Sequence, residues 1–129
     1  MVKQTDFAVF LNRFLTDYLP NKRGSSPKTI DSYRYSFIFL IDYYEEAYRI
    51  GPDRLALADI TYEKISGYFD WLQETKLSSV STRNQRQAAI NSFIRFLMYE
   101  RPEYLNEYQR ILAIPVKKAP QKEISYLKT

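Results

Sequence analysis

From residue 5 to residue 112 the large apolar side chains recur at spacings of three and four, the period at which they share one face of an α-helix. In TDFAVFLNRFLTDYL, residues 5–19, Phe7, Phe10, Leu11, Phe14, Leu15 and Tyr18 make such a stripe, and Pro20 and Gly24 mark its expected end. A second helix should open at SSPKT, with Ser26 as N-cap and Pro27 in the first helical position. Ile30, Tyr33, Phe37, Leu40, Ile41, Tyr44 and Tyr48 then line its inner face to about residue 49, where Gly51-Pro52 breaks the pattern. Residues 53–60 read as a short connection anchored by Leu55, Leu57 and Ile60.

The third helix begins at Thr61, with Lys64 where a full capping box would have a carboxylate. Tyr62, Ile65, Phe69 and Leu72 face inward as far as about Thr75, with Trp71 packed or half exposed near its end. A fourth runs from about Ser81 to Glu100 over Ala89, Ile90, Phe93, Ile94 and Leu97. Pro102 starts a short fifth, carrying Tyr104, Leu105, Tyr108 and Leu112. Beyond Ile114, PVKKAPQKEISYLKT has two prolines, four lysines and no helical period, the composition of an extended linker. The expected architecture is therefore all-α, a four- to five-helix bundle over residues 1–114 followed by a basic linker over 115–129.

At 129 residues and 45% hydrophobic, the chain has enough apolar surface for one packed domain. It contains neither Cys nor His. That removes disulfides, thiol chemistry, the usual zinc sets and the commonest acid–base residue. Glu45 and Glu46 are adjacent, so on a helix they diverge by about a quarter turn and make no acid–base dyad. No Gly-rich phosphate loop is present, and no partner is evident to activate a Ser or Thr. No catalytic residue, metal ligand or cofactor is expected. No apolar run approaches the length of a membrane span, and MVKQTD is unlike a secretory signal, so the expectation is a cytoplasmic protein with no membrane partner.

The net charge of +4 is modest, but its distribution is not even. Residues 79–101 hold four arginines against Glu100 alone. The stretch SSVSTRNQRQAAINSFIRFL, residues 78–97, puts hydroxyls, amides and arginines where the helix dipole is already positive. Ser81, Thr82, Arg83, Asn84 and Arg86 crowd its first two turns, with Gln87 beside them. Arg83 and Arg86, and likewise Arg83 and Gln87, are spaced to share a face. Arg can clamp phosphate or pair with guanine, and Asn or Gln can read adenine. The second helix repeats the pattern with Ser25, Ser26, Lys28, Thr29 and Arg34, and Lys117 and Lys118 add charge from the linker. Such helix starts suit an external polyanion, with duplex DNA the foremost candidate. From the residues alone two other readings stay open: a helical bundle docking on an acidic protein, and a free-standing helical regulator.

The order of these features resembles one family. An amphipathic helix is followed by Ser26-Pro27-Lys28-Thr29-Ile30-Asp31-Ser32-Tyr33, then Leu57-Ala58-Asp59-Ile60-Thr61 leading into a helix. Next come Ser79 to Arg86 with Ala89 to Phe93, and a close of I-P-V-K-K and Y-L-x-T. This is similar to the N-terminal core-binding, SAM-like domain of the tyrosine recombinases, or phage integrases, over nearly the whole chain. The resemblance implies a domain that grips one side of a recombination site in double-stranded DNA, alongside other recombinase protomers. It assigns DNA contacts to Ser26, Lys28, Thr29 and Arg34, to Ser81, Thr82, Arg83, Asn84 and Arg86, and to Lys117 and Lys118. In that family strand cleavage by a nucleophilic tyrosine belongs to a C-terminal domain. The sequence stops at Thr129, about where such a domain would begin, so the resemblance implies a binding piece without the catalytic machinery, and none of its tyrosines inherits the nucleophile's role.

Overall fold

The computed structural model describes residues 3–118, and the regular structure among them is helical throughout. Five helices follow in the expected order: α1 (Asp6–Arg13), which continues into a π-helical stretch (Phe14–Lys22), α2 (Pro27–Tyr48), α3 (Tyr62–Glu74), α4 (Val80–Glu100) and α5 (Leu105–Leu112). Short 3₁₀ turns at Leu57–Asp59 and Pro102–Tyr104 complete the path. The all-α expectation holds. Of the expected linker, residues 119–129 lie outside the described residues.

The first helix does not stop at Pro20. It runs on to Lys22 because its second half widens to π winding. In an α-helix the proline ring would strike the carbonyl four residues back. The wider turn bonds five residues back, as where the Arg23 amide donates to the Tyr18 carbonyl at 2.9 Å. Gly24, at φ +66°, then turns the chain in the left-handed region and ends the element.

Phe14 sits at the centre of the core. Its ring lies 5.2 Å from Phe93, 5.5 Å from Phe96 and 6.0 Å from Phe37, joining the first helix to α2 and α4. Truncating such a fully buried ring to Ala removes about 3–5 kcal/mol. A second aromatic group, Tyr43, Tyr44, Tyr68 and Trp71, joins α2 to α3, and Trp71 is packed within it. Two of its hydroxyls find backbone acceptors, Tyr44 at Asp59 and Tyr68 at Ser36, both at 2.8 Å. That is why tyrosine, rather than phenylalanine, is tolerated so deep. Gly67 permits the close approach of α3, since a Cβ there would lie 2.5 Å from the Tyr43 hydroxyl. Leu55, Leu57 and Ile60 are buried as expected and pin the connection between α2 and α3.

Candidate nucleic-acid interface

The starts of α2 and α4 are built alike. Ser26 Oγ accepts from the Thr29 amide at 3.2 Å, and Ser79 Oγ accepts from the Thr82 amide at 3.1 Å. In each case the serine hydroxyl also donates to the same threonine's hydroxyl, at 3.0 and 3.1 Å. The threonine proton is thereby left free for an external acceptor. The cap of α4 is thus Ser79, two residues before the expected start at Ser81.

Charge separates these two helices from the other three. Asp6, Glu63 and Glu107 place a carboxylate in the first turns of α1, α3 and α5, as the helix dipole favours. Glu107 also accepts the Tyr62 amide at the start of α3, at 2.6 Å. Neither α2 nor α4 has an acidic residue in its first turn. Among the described residues the ion pairs are Arg13–Glu100, Arg101–Asp6, Arg101–Glu103 and Arg110–Glu107, on α1, α5, the C-terminal end of α4 and the turn that follows it. Lys28, Arg34, Arg86, Lys117 and Lys118 take no part in them, and Asp31 pairs with neither basic neighbour. Four of these five cations are exposed and Arg86 is half-buried.

An open cleft of about 310 Å³ gathers the elements around this surface. It is lined by Arg23 from the loop before α2, Tyr33 of α2, Asn84, Asn91 and Arg95 of α4, and Val116 beyond α5. Arg23 donates to the Ser92 hydroxyl across it at 2.5 Å. Asn91, Ser92 and Arg95 were not among the sequence candidates. Their signal was present, because Asn84, Gln87, Asn91 and Arg95 form a polar stripe at the same three-and-four spacing as the apolar one.

The candidate residues divide in two. Ser26, Lys28, Thr29, Arg34, Ser81, Lys117 and Lys118 are exposed, while Thr82, Asn84 and Arg86 are half-buried. Arg86 lies with its guanidinium 5.2 Å from the Phe39 ring centre. Tyr35, off the inner stripe of α2, is 58% exposed. Arg83 differs from all of these, being only 4% exposed. Its guanidinium lies 4.8 Å from the Phe69 ring centre and donates to Asn84 Oδ1 at 2.9 Å and to Gln87 Oε1. Desolvation lowers its pKa, opposed by the charge of Asp70, but an arginine stays protonated at neutral pH. Both amides then turn to the chain after α5. Gln87 Nε2 donates to the Ile114 carbonyl at 2.8 Å, and Asn84 Nδ2 to the Lys117 carbonyl at 2.7 Å. Sequence spacing correctly puts Arg83 on one face with Gln87, but that face looks into the protein.

Among the described residues there is no group of three or more metal-ligating side chains, and no helix long and apolar enough to cross a membrane.

The family described as phage integrase, N-terminal SAM-like domain, matches residues 11–101. Two curated proteins of Sinorhizobium fredii are similar to the chain. One, named "Putative integrase/recombinase y4rC", is 36% identical over 127 residues, which is 98% of this chain and 38% of that protein. The other, named "Putative integrase/recombinase y4rD", is 32% identical over 112 residues, 87% of this chain and 40% of that protein. The chain thus spans about two-fifths of the length of these relatives. No solved structure matches it. A five-helix arrangement in the expected order, and a family match over most of the chain, lead to one conclusion: the chain belongs to the family of phage-integrase N-terminal SAM-like domains.

Proposed function

We propose that this domain grips double-stranded DNA at a recombination site, with the starts of α2 and α4 against the duplex. The observation that carries the proposal is the partition of charge. The protein supplies its own anions at the starts of three helices and leaves the starts of α2 and α4 with cations and unfilled hydroxyl protons. A helix N-terminus with Arg and Lys beside it is a ready site for phosphate. Lys28, Arg34, Arg86, Lys117 and Lys118 neutralise phosphates, and Ser26, Thr29, Ser81 and Thr82 add hydroxyl contacts that set register. Arg83 and Asn84 support this surface from within.

Cleavage and rejoining of strands belong, in this reading, to a further domain of the kind that occupies the remaining length of a tyrosine recombinase. Residues 115–129 link the two, residues 1–114 being the DNA-gripping unit. Other protomers of the same protein assemble on the site, and work on intracellular DNA places the protein in the cytoplasm.

Fluorescence anisotropy with a labelled duplex, titrated from about 50 to 200 mM salt, tests the reading. Five cations on five phosphates give a slope of log K against log salt of about −4.5. Absence of duplex binding at the low-salt end overturns the proposal and favours an acidic protein as the partner.

A further inference from the structure

We infer that Arg83, Asn84 and Gln87 are positioning residues that clasp the chain leaving α5 and fix where Lys117 is presented. The logic begins with Arg83, a buried cation that has donors only and no carboxylate within bonding distance. Both neighbouring amides must therefore offer it their oxygens. That choice leaves each amide its NH₂ group, and these point to the two carbonyls of the departing chain, at Ile114 and Lys117. The Lys117 amide returns a bond to Asn84 Oδ1 at 3.2 Å, so Asn84 holds Lys117 by both backbone groups. The Phe69 ring beneath the guanidinium fills the remaining face.

The clasp gives a cluster of Arg, Asn and Gln at a helix start a task within the protein. Both amide oxygens and both amide NH₂ groups have partners within the protein, and what they deliver is direction. The segment after α5 is held against the first two turns of α4, beside the cleft. Lys117 is held beside the start of α4 through a backbone anchor, while its own side chain stays exposed. Any domain attached beyond the segment inherits that exit direction.

Amide hydrogen exchange on the 129-residue chain tests the clasp without DNA. The Lys117 amide should exchange about fivefold more slowly than an open amide, the retardation one ordinary net hydrogen bond supplies. Asn84→Ala should abolish the retardation, and Asn84→Asp should only weaken it, because the carboxylate keeps the acceptor for Arg83 and the Lys117 amide but sets an oxygen against the Lys117 carbonyl. An unprotected Lys117 amide in the unaltered chain, or one equally protected in Asn84→Ala, overturns the inference. A thermal midpoint unchanged in Asn84→Ala shows that the loss is local.

A second arm rests on the DNA reading. Lys117→Ala should reduce the salt slope by about 0.9, one phosphate, and Asn84→Ala should reproduce part of that loss. In the double variant the loss should equal that of Lys117→Ala alone. A double variant that loses the sum of the two shows Asn84 to be an independent DNA contact and overturns the coupling. Failure of all duplex binding removes this arm and the DNA proposal together, while the exchange result still decides the clasp.

Discussion

Two arginines three residues apart on α4 face opposite fates. Arg86 keeps to the half-exposed margin over Phe39, whereas Arg83 is enclosed and bonded to two amides. Removing Arg83 leaves amide oxygens unsatisfied and empties the space over Phe69. Arg83→Ala should therefore lower stability by about 2 kcal/mol, the scale of a hydrogen bond to a charged group, seen as a fall of several degrees in the thermal midpoint. Lys28→Ala should leave that midpoint unchanged and weaken duplex binding, with the salt slope reduced by about 0.9. The pair of variants separates a structural cation from a binding one. Leu77 raises the opposite question. It is 82% exposed and held at φ +56°, a conformation unfavourable for a non-glycine residue. Leu77→Gly should raise stability by about 1 kcal/mol in thermal or urea unfolding, because it relieves left-handed strain with no packing to lose. Arg83 was legible as a neighbour of Gln87 but not as a buried group. Its enclosure depends on Phe69, fourteen residues away, and on a chain segment that begins thirty-one residues later, at Ile114.

At the scale of the helix, local chemistry was the readable part. Ser26 with Pro27 announced the start of α2, and Thr61 announced α3, where its hydroxyl accepts the Lys64 amide at 3.3 Å. Because the Ser79 cap anchors the helix that carries most of the site, Ser79→Ala should cost about 1 kcal/mol. The check is thermal unfolding, supported by faster amide exchange at Thr82. Proline was the misleading signal. A single Pro20 reads as a stop, yet the first helix passes it by changing its winding, and a change of winding has no marker in the local residues. The expected inner stripes are also slightly too narrow. Tyr43, Tyr68, Phe96 and Ile111 are buried although they lie beside, not on, the expected faces. A helix crossed by neighbours on two sides buries a wider arc than one stripe, and the number of neighbours is a tertiary fact.

For the molecule as a whole, the absence of His predicts little change in stability across neutral pH, since no imidazole titrates there. The alkaline side differs. Burial raises the pKa of Tyr43, Tyr44, Tyr68 and Tyr108 above the ordinary tyrosine value. These groups are neutral in the fold and ionise more readily when unfolded. Their contribution is complete below about pH 10 and is lost as pH rises beyond it, because the unfolded chain then binds fewer protons than the native one. The thermal midpoint should be flat from about pH 6 to 9 and fall steeply above about pH 10. A fall beginning near neutrality would contradict this assignment. Helix number, helix order, the main core and the two cationic helix starts follow from period, caps and charge, all of which act over a few residues and so are written locally. Which cations face solvent, which arginine is enclosed, and where the chain leaves α5 were settled only by packing, because burial and hydrogen-bond partners are properties of residues far apart in the chain.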